Sequence, residues 1–209
     1  MTYFINGIFP GELKPSTTVG GCINIYENAW PDPEGTIKRA EAVCQDPNSA
    51  ASFVKTSTFG NGQHQTHRTN YGVCISEVAM LYNDPTMQNI HNQFNMLLHA
   101  TTIPYADNYG VEGPLYHEGY HLLRYADKQE YKAHCDGTSA IGRVISAICY
   151  LNDDYEGGEL EFPNFDIKIK PTAGMLILFP STYPYTHIAH PVQNGPKYNI
   201  TTWLRDVPI

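Results

Sequence analysis

From residue 120 to 204 the chain runs through eight short apolar or alternating segments, at 120–126, 133–136, 143–151, 158–162, 167–170, 175–179, 188–192 and 198–204. Gly, Pro, Asn or Asp punctuates most of the gaps between them. Interruptions this frequent exclude long helices, while runs of this length suit strands. Eight short strands at such spacing predict a barrel or a double-sheet jelly roll. No other stretch restricts the fold as strongly.

The first half differs in character. Pro10, Gly11, Pro15, Gly20 and Gly21 predict a turn-rich arm, followed by a short strand at 22–26. Pro33-Glu34 suits a helical first turn, and Ile37, Ala40, Ala42 and Val43 carry that helix as far as Asp46-Pro47. Residues 52–60 read as extended, Gly60-Asn61-Gly62 as a turn, and polar 63–70 as an exposed loop, with 60–70 as a whole the candidate lid over a substrate. Met87, Ile90, Phe94, Leu97 and Leu98 recur at helical spacing, which predicts a helix from Asp84-Pro85 to about Ala100 that supports a sheet. Residues 104–114 are rich in turn formers. Neither a repeat nor a linker interrupts the chain, so 1–209 is expected to be a single domain, with helices, strands and a substrate loop in 1–115 and a metal-binding β core in 116–209.

Composition bounds the partners. Fifteen tyrosines and fifteen prolines favour strands and turns, giving a mainly β class with supporting α-helices. A net charge of −8 supplies no basic field for a phosphate backbone, so no nucleic-acid partner is expected. Five scattered cysteines without a CxxC pair suit reduced thiols, and the N-terminus lacks a basic, then apolar, leader. No apolar run approaches a membrane span, so the expectation is a soluble, cytoplasmic or otherwise intracellular protein without a membrane partner. Oligomeric state leaves no mark on the sequence.

Two stretches carry metal-ligand chemistry. In His134-Cys135-Asp136 the first and third side chains share one face of an extended segment, because strands alternate with period two. A second histidine from a distant strand would complete a two-histidine, one-carboxylate face, the arrangement of non-haem Fe(II) oxygenases. Cys135 would point the other way and pack. His187 and His190 both qualify as the distal histidine on residue type and position alone. The rival stretch, His117-Glu118-Gly119-Tyr120-His121, matches the H-E-x-x-H pattern of zinc hydrolases. That chemistry needs a helix, whereas Gly110, Gly113, Pro114 and Gly119 disfavour one. On a strand rising ~3.3 Å per residue, positions 117 and 121 share a face but lie too far apart for one ion.

Further motifs surround the triplet: Leu122-Leu123-Arg124-Tyr125 and Tyr131-Lys132-Ala133 before it, Arg143-Val144-Ile145-Ser146-Ala147-Ile148-Cys149-Tyr150-Leu151-Asn152 after it. Glu156-Gly157-Gly158-Glu159, Lys170-Pro171-Thr172-Ala173-Gly174, His187 with Pro191-Val192, Gly195-Pro196-Lys197-Tyr198 and Trp203 follow. In order and spacing they resemble the prolyl 4-hydroxylase-like family of 2-oxoglutarate- and Fe(II)-dependent dioxygenases, from about residue 120 to about residue 205. The resemblance implies a double-stranded β-helix, a cupin-like jelly-roll core. It implies Fe(II) held by His134, Asp136 and His187, with 2-oxoglutarate and O₂ as cosubstrates and ascorbate as an accessory reductant. His187 is chosen over His190 because it lies four residues before Pro191 and ten before Lys197, as in the family.

By the same resemblance, Lys197 and Tyr125 anchor the far carboxylate of 2-oxoglutarate, and Arg143, Tyr131 and Trp203 surround the substrate. His67-Arg68-Thr69-Asn70 resembles a short element of the family's substrate loop, which adds Arg68. Asp136 weighs against halogenation, which needs that position vacant. The implied activity is hydroxylation with release of succinate and CO₂, peptidyl proline being the leading substrate. A free amino acid or other small molecule competes, and a zinc hydrolase at 117–121 or a non-catalytic β-helix binding module stands further off. Two departures from the family occur: a segment of six residues, 137–142, after Asp136, and Leu160 where a threonine is common.

Overall fold

The computed structural model describes residues 3–4, 12–56, 67–137 and 142–208. The expected turn at 60–62 and loop residues 63–66 lie outside these, as do four residues of the short 137–142 segment. The N-terminal part contributes β1 (Tyr3–Phe4), β2 (Thr17–Val19), β3 (Ile23–Tyr26), α1 (Pro33–Gln45), β4 (Val54–Lys55), β5 (Tyr71–Cys74), α2 (Ile75–Leu81) and α3 (Pro85–Tyr109). Then come β6 (Tyr116–His117), β7 (His121–Tyr125), β8 (Tyr131–His134), β9 (Arg143–Tyr150), β10 (Glu156–Gly157) and β11 (Leu160–Phe162). The chain closes with β12 (Ile167–Ile169), β13 (Leu176–Pro180), β14 (His187–Ala189), β15 (Val192–Gln193) and β16 (Lys197–Arg205).

Two antiparallel sheets face each other. The larger runs β2-β3-β13-β9-β16-β7-β5-β4, with β6 beside β16 and β1 beside β6; the smaller runs β12-β11-β14-β8. This is the expected jelly roll, and the eight sequence segments all supply its strands. The large sheet is covered on both faces, which is why β9 is almost continuously buried. Ile145, Ala147 and Cys149 pack with the helices, while Ile148 and Tyr150 turn toward the small sheet. On β16 the same alternation sends Tyr198, Ile200 and Leu204 to the helical side. Lys197, Asn199, Thr201 and Trp203 therefore line the space between the sheets.

The helices begin where sequence chemistry places them. Asp32 accepts the Gly35 N–H at 3.1 Å and Pro33 opens α1; Asp84 accepts the Met87 N–H at 2.8 Å and Pro85 opens α3. Helix α3 does not stop near Ala100 but continues to Tyr109, so the turn-rich reading of 104–109 was incorrect. Thr101 and Thr102 donate their hydroxyls to the Leu97 and Leu98 carbonyls, and Tyr105 is buried. Pro104 lacks the N–H that would reach the Ala100 carbonyl, but Leu13 of the arm donates its own N–H there at 3.1 Å. Loop residues 67–70 are a second correction. Arg68 and Asn70 are buried rather than exposed, and Arg68 bridges to Tyr131 of β8.

Candidate active site

Strand pairing assembles the candidate metal ligands. His187 of β14 lies opposite His134 at the end of β8, and Asp136 follows two residues on. The His134 Nε2 lies 3.5 Å from Asp136 Oδ1, and the His187 Nε2 lies 3.6 Å from Asp136 Oδ2. All three donor atoms fall within 4.8 Å of one another, the only such cluster among the described residues. His134 Nδ1 bonds the Lys132 carbonyl at 2.7 Å and His187 Nδ1 the Tyr185 carbonyl at 3.1 Å. A carbonyl only accepts, so each Nδ1 carries the proton and each Nε2 turns a lone pair toward the centre.

Asp136 is fixed by Ser146, whose hydroxyl donates to Oδ2 at 2.7 Å and lies 2.8 Å from Ser181 Oγ. Burial alone would raise the Asp136 carboxyl, but His187, His134 and Ser146 outweigh it and hold the group well below the usual carboxylate range. Burial pushes His187 down to about 4, which keeps its imidazole neutral. Two imidazoles and a carboxylate suit a divalent iron and leave its remaining positions to other ligands. Cys135 turns away, its Sγ 3.0 Å from the Thr186 hydroxyl. His190 bonds Glu161 at 2.6 Å on the rim of the small sheet, outside the cluster.

Lys197 starts β16 opposite Tyr125 of β7. Its side chain is 1% exposed, donates to the Gly158 carbonyl at 3.0 Å and sits 4.5 Å over the Tyr125 ring. Among the described residues no carboxylate forms an ion pair with it. Burial, helped by Lys170, pushes its ammonium down to about 7. A buried cation without an anion is costly in the empty protein and favours an anionic ligand.

The remaining predicted residues border the metal cluster. Tyr131 stacks on His134 with ring centroids 3.4 Å apart, and the Arg68 guanidinium lies 4.9 Å over Tyr131 while its Nε donates to Asn70 at 2.9 Å. Arg143 donates Nη1 to the Asp136 carbonyl at 3.1 Å and covers the Trp203 ring at 4.0 Å. The Trp203 Nε1–H is buried without a hydrogen-bond partner among the described residues.

Glu118 enters the sequence reading only inside the disfavoured zinc-hydrolase pattern, with no other role. It pairs with Arg143 through Nε at 2.9 Å and through Nη2, and lies 3.7 Å from Arg205 Nε. The zinc-hydrolase reading fails here, because His117 and His121 sit on β6 and β7 on either side of Gly119 (φ +89°), not on one helix. His117 Nδ1 accepts the Gly119 N–H at 3.1 Å, and its ring stacks 4.4 Å from Tyr120 in the core. The role of Ser146 was also missed; it sits directly opposite Trp203 of β16, and its hydroxyl bond to Asp136 reveals it.

Residues 120–205 match the family profile of the 2OG-Fe(II) oxygenase superfamily. A probable prolyl 4-hydroxylase 9 of Arabidopsis thaliana is 32% identical over 118 residues, covering 43% of this chain and 41% of that protein. Prolyl 4-hydroxylase 1 of the same plant is 28% identical over 93% of this chain and 73% of its own length. The chain spans about half the length, or less, of the first curated relatives it matches. A prolyl hydroxylase from Trichoplax adhaerens, solved with a hypoxia-inducible-factor peptide, shares the fold with a TM-score of 0.73 at 18% identity, over 90% of this chain and 84% of that one. Among the described residues no helix is long and apolar enough to cross a membrane. Jelly roll, ligand cluster and sequence match agree: over residues 120–205 the chain is similar to the 2OG-Fe(II) oxygenase superfamily, and the relatives it resembles are named prolyl hydroxylases.

Proposed function

We propose that this protein is a 2-oxoglutarate- and Fe(II)-dependent dioxygenase that hydroxylates peptidyl proline, with residues 1–209 acting as one unit. One observation carries the reading: a two-histidine, one-carboxylate cluster shares its inter-sheet space with a buried lysine that pairs with no carboxylate among the described residues. His134, Asp136 and His187 would hold iron. Lys197 would receive the far carboxylate of 2-oxoglutarate, with Tyr125 beside it. Bound iron, with 2-oxoglutarate and O₂, would supply the oxidising chemistry, one oxygen atom of O₂ going to the substrate and the other into succinate as CO₂ is released.

The chain's own work is placement. Ser146 orients Asp136, and the Glu118 carboxylate holds Arg143 across Trp203. Tyr131 and Trp203 form an aromatic wall that orients an apolar ring and excludes water from the oxidising centre. The proline assignment draws on the relatives named prolyl 4-hydroxylases and on the peptide bound to the Trichoplax protein. A free amino acid is favoured by a different observation: Arg68 is 8% exposed and forms no ion pair with a carboxylate among the described residues, which would suit a substrate's own carboxylate.

Mass spectrometry after incubation with Fe(II) and 2-oxoglutarate separates the two. A gain of one oxygen on proline within peptides, absent from free amino acids, is the expected result. Oxygenation of free amino acids alone would replace the peptide reading. Succinate formed equally well by His134→Ala would overturn the dioxygenase assignment itself.

A further inference from the structure

Tyr155 carries a hydroxyl that nothing in the described protein uses. The residue is 6% exposed, and its Oη is buried without a hydrogen-bond partner. Buried hydroxyls are ordinarily satisfied, so one held rigidly and left unsatisfied calls for an explanation. Its position is fixed from several sides. Lys170 donates Nζ to the Tyr155 carbonyl at 3.1 Å and lies 4.5 Å over the Tyr155 ring. Gly157 and Gly158 both adopt left-handed backbone, and Gly158 donates its N–H to Pro191 at 3.0 Å.

This turn presses the ring against the lysine pocket. A Cβ on Gly158 would stand 2.7 Å from Tyr155 Cε2 and 3.3 Å from Lys197 Cδ, so the ring and the lysine stem flank the same glycine. Tyr155 also packs in one buried cluster with Tyr125, Leu123 and Val192, and Tyr125 lies under the Lys197 ammonium. The Tyr155 ring and the Lys197 stem thus border one buried cluster; among the described residues the hydroxyl has no hydrogen-bond partner and the ammonium no carboxylate.

We infer that Tyr155 is a binding residue for the distal carboxylate of 2-oxoglutarate, donating its hydroxyl proton to a carboxylate oxygen while Lys197 supplies the charge. The inference rests on the proposed function and adds to it a residue outside the expected anchors. A single anion satisfies both groups, whereas a neutral ligand end would leave the ammonium uncompensated. Together with the lysine, the hydroxyl fixes where the carboxylate sits, and hence the chain length of the 2-oxo acid that can also reach the iron.

Tyr155→Phe tests this, because it keeps the ring and its packing and removes only the hydroxyl. Anaerobic titration of the Fe(II)-loaded protein with 2-oxoglutarate, followed by the iron-to-cosubstrate charge-transfer band, reads binding without turnover. The expected result is a Kd raised about tenfold or more, the scale of a hydrogen bond to a charged group, with an unchanged or higher thermal midpoint. A 2-oxo acid lacking the distal carboxylate should bind wild type and variant alike. Unchanged 2-oxoglutarate affinity in Tyr155→Phe, with affinity lost in Lys197→Met, would overturn the Tyr155 assignment alone. Unchanged affinity in both variants would overturn the cosubstrate reading beneath it.

Discussion

Two histidine sites in this molecule use the same residue type in opposite ways. At the metal cluster His134 and His187 give their Nδ1 protons to backbone carbonyls and turn bare Nε2 atoms toward Asp136. At the core stretch His117 spends its Nδ1 lone pair on the Gly119 N–H and lies flat against Tyr120. Both places are buried, and burial pushes His187 to about 4 and His117 to about 3. Burial therefore does not distinguish a ligand from a core residue. The backbone partner of the second ring nitrogen does, because it decides which atom keeps a lone pair and where that atom points.

The sharpest way to break this contrast is to exchange the sites' expected behaviour by mutation. His134→Ala, Asp136→Ala or His187→Ala should abolish iron retention and bring succinate formation to background, as read by metal analysis and product assay. Next in size, Lys197→Met should weaken 2-oxoglutarate binding by about a hundredfold, the scale of a lost charge-assisted pair. The same change should raise the thermal midpoint, since it removes a desolvated cation from the empty protein.

A smaller effect follows from pH. The Lys197 ammonium ordinarily titrates at 10.5 and here at about 7, because burial disfavours its charge. Below pH 7 it is already protonated and cosubstrate affinity should be flat. Above pH 7 binding must take up a proton, so affinity should fall by about tenfold per unit. Stability of the empty protein runs the other way. The unfolded chain retains this proton up to its ordinary value, so between about 7 and 10.5 this group makes stability rise with pH. The smallest effect belongs to the core site. His117→Phe should leave iron loading intact and cost about 1–3 kcal/mol in denaturant melts, from the Gly119 N–H left without its acceptor. Loss of iron in that variant would erase the distinction between the two sites.

What could be read from the chain follows this division. The β half was legible because each segment between 120 and 204 alternates or is apolar and is bounded by turn formers. Helix α3 was legible to Ala100 and not beyond, because Pro104 is a local stop signal that a distant donor, Leu13, neutralises. His134 and Asp136 were legible as candidate ligands through their spacing, and His187 and Lys197 through the family resemblance. Glu118 was hidden by its neighbours. Its partner Arg143 lies 25 residues away, while the two histidines around it mimic a different chemistry. Tyr155 carries no signal in the sequence, since only the folded structure shows that its hydroxyl has no hydrogen-bond partner among the described residues.

The rung that sets His187 of β14 opposite His134 of β8 has a consequence for assembly. In a strand pair a slip of one residue turns every side chain to the other face. Such a slip would carry His187 away from Asp136 and into the opposite layer, and the centre would lose a ligand. An ion bound there would act as a proofreader of strand register, rewarding the one alignment in which β8 and β14 meet correctly.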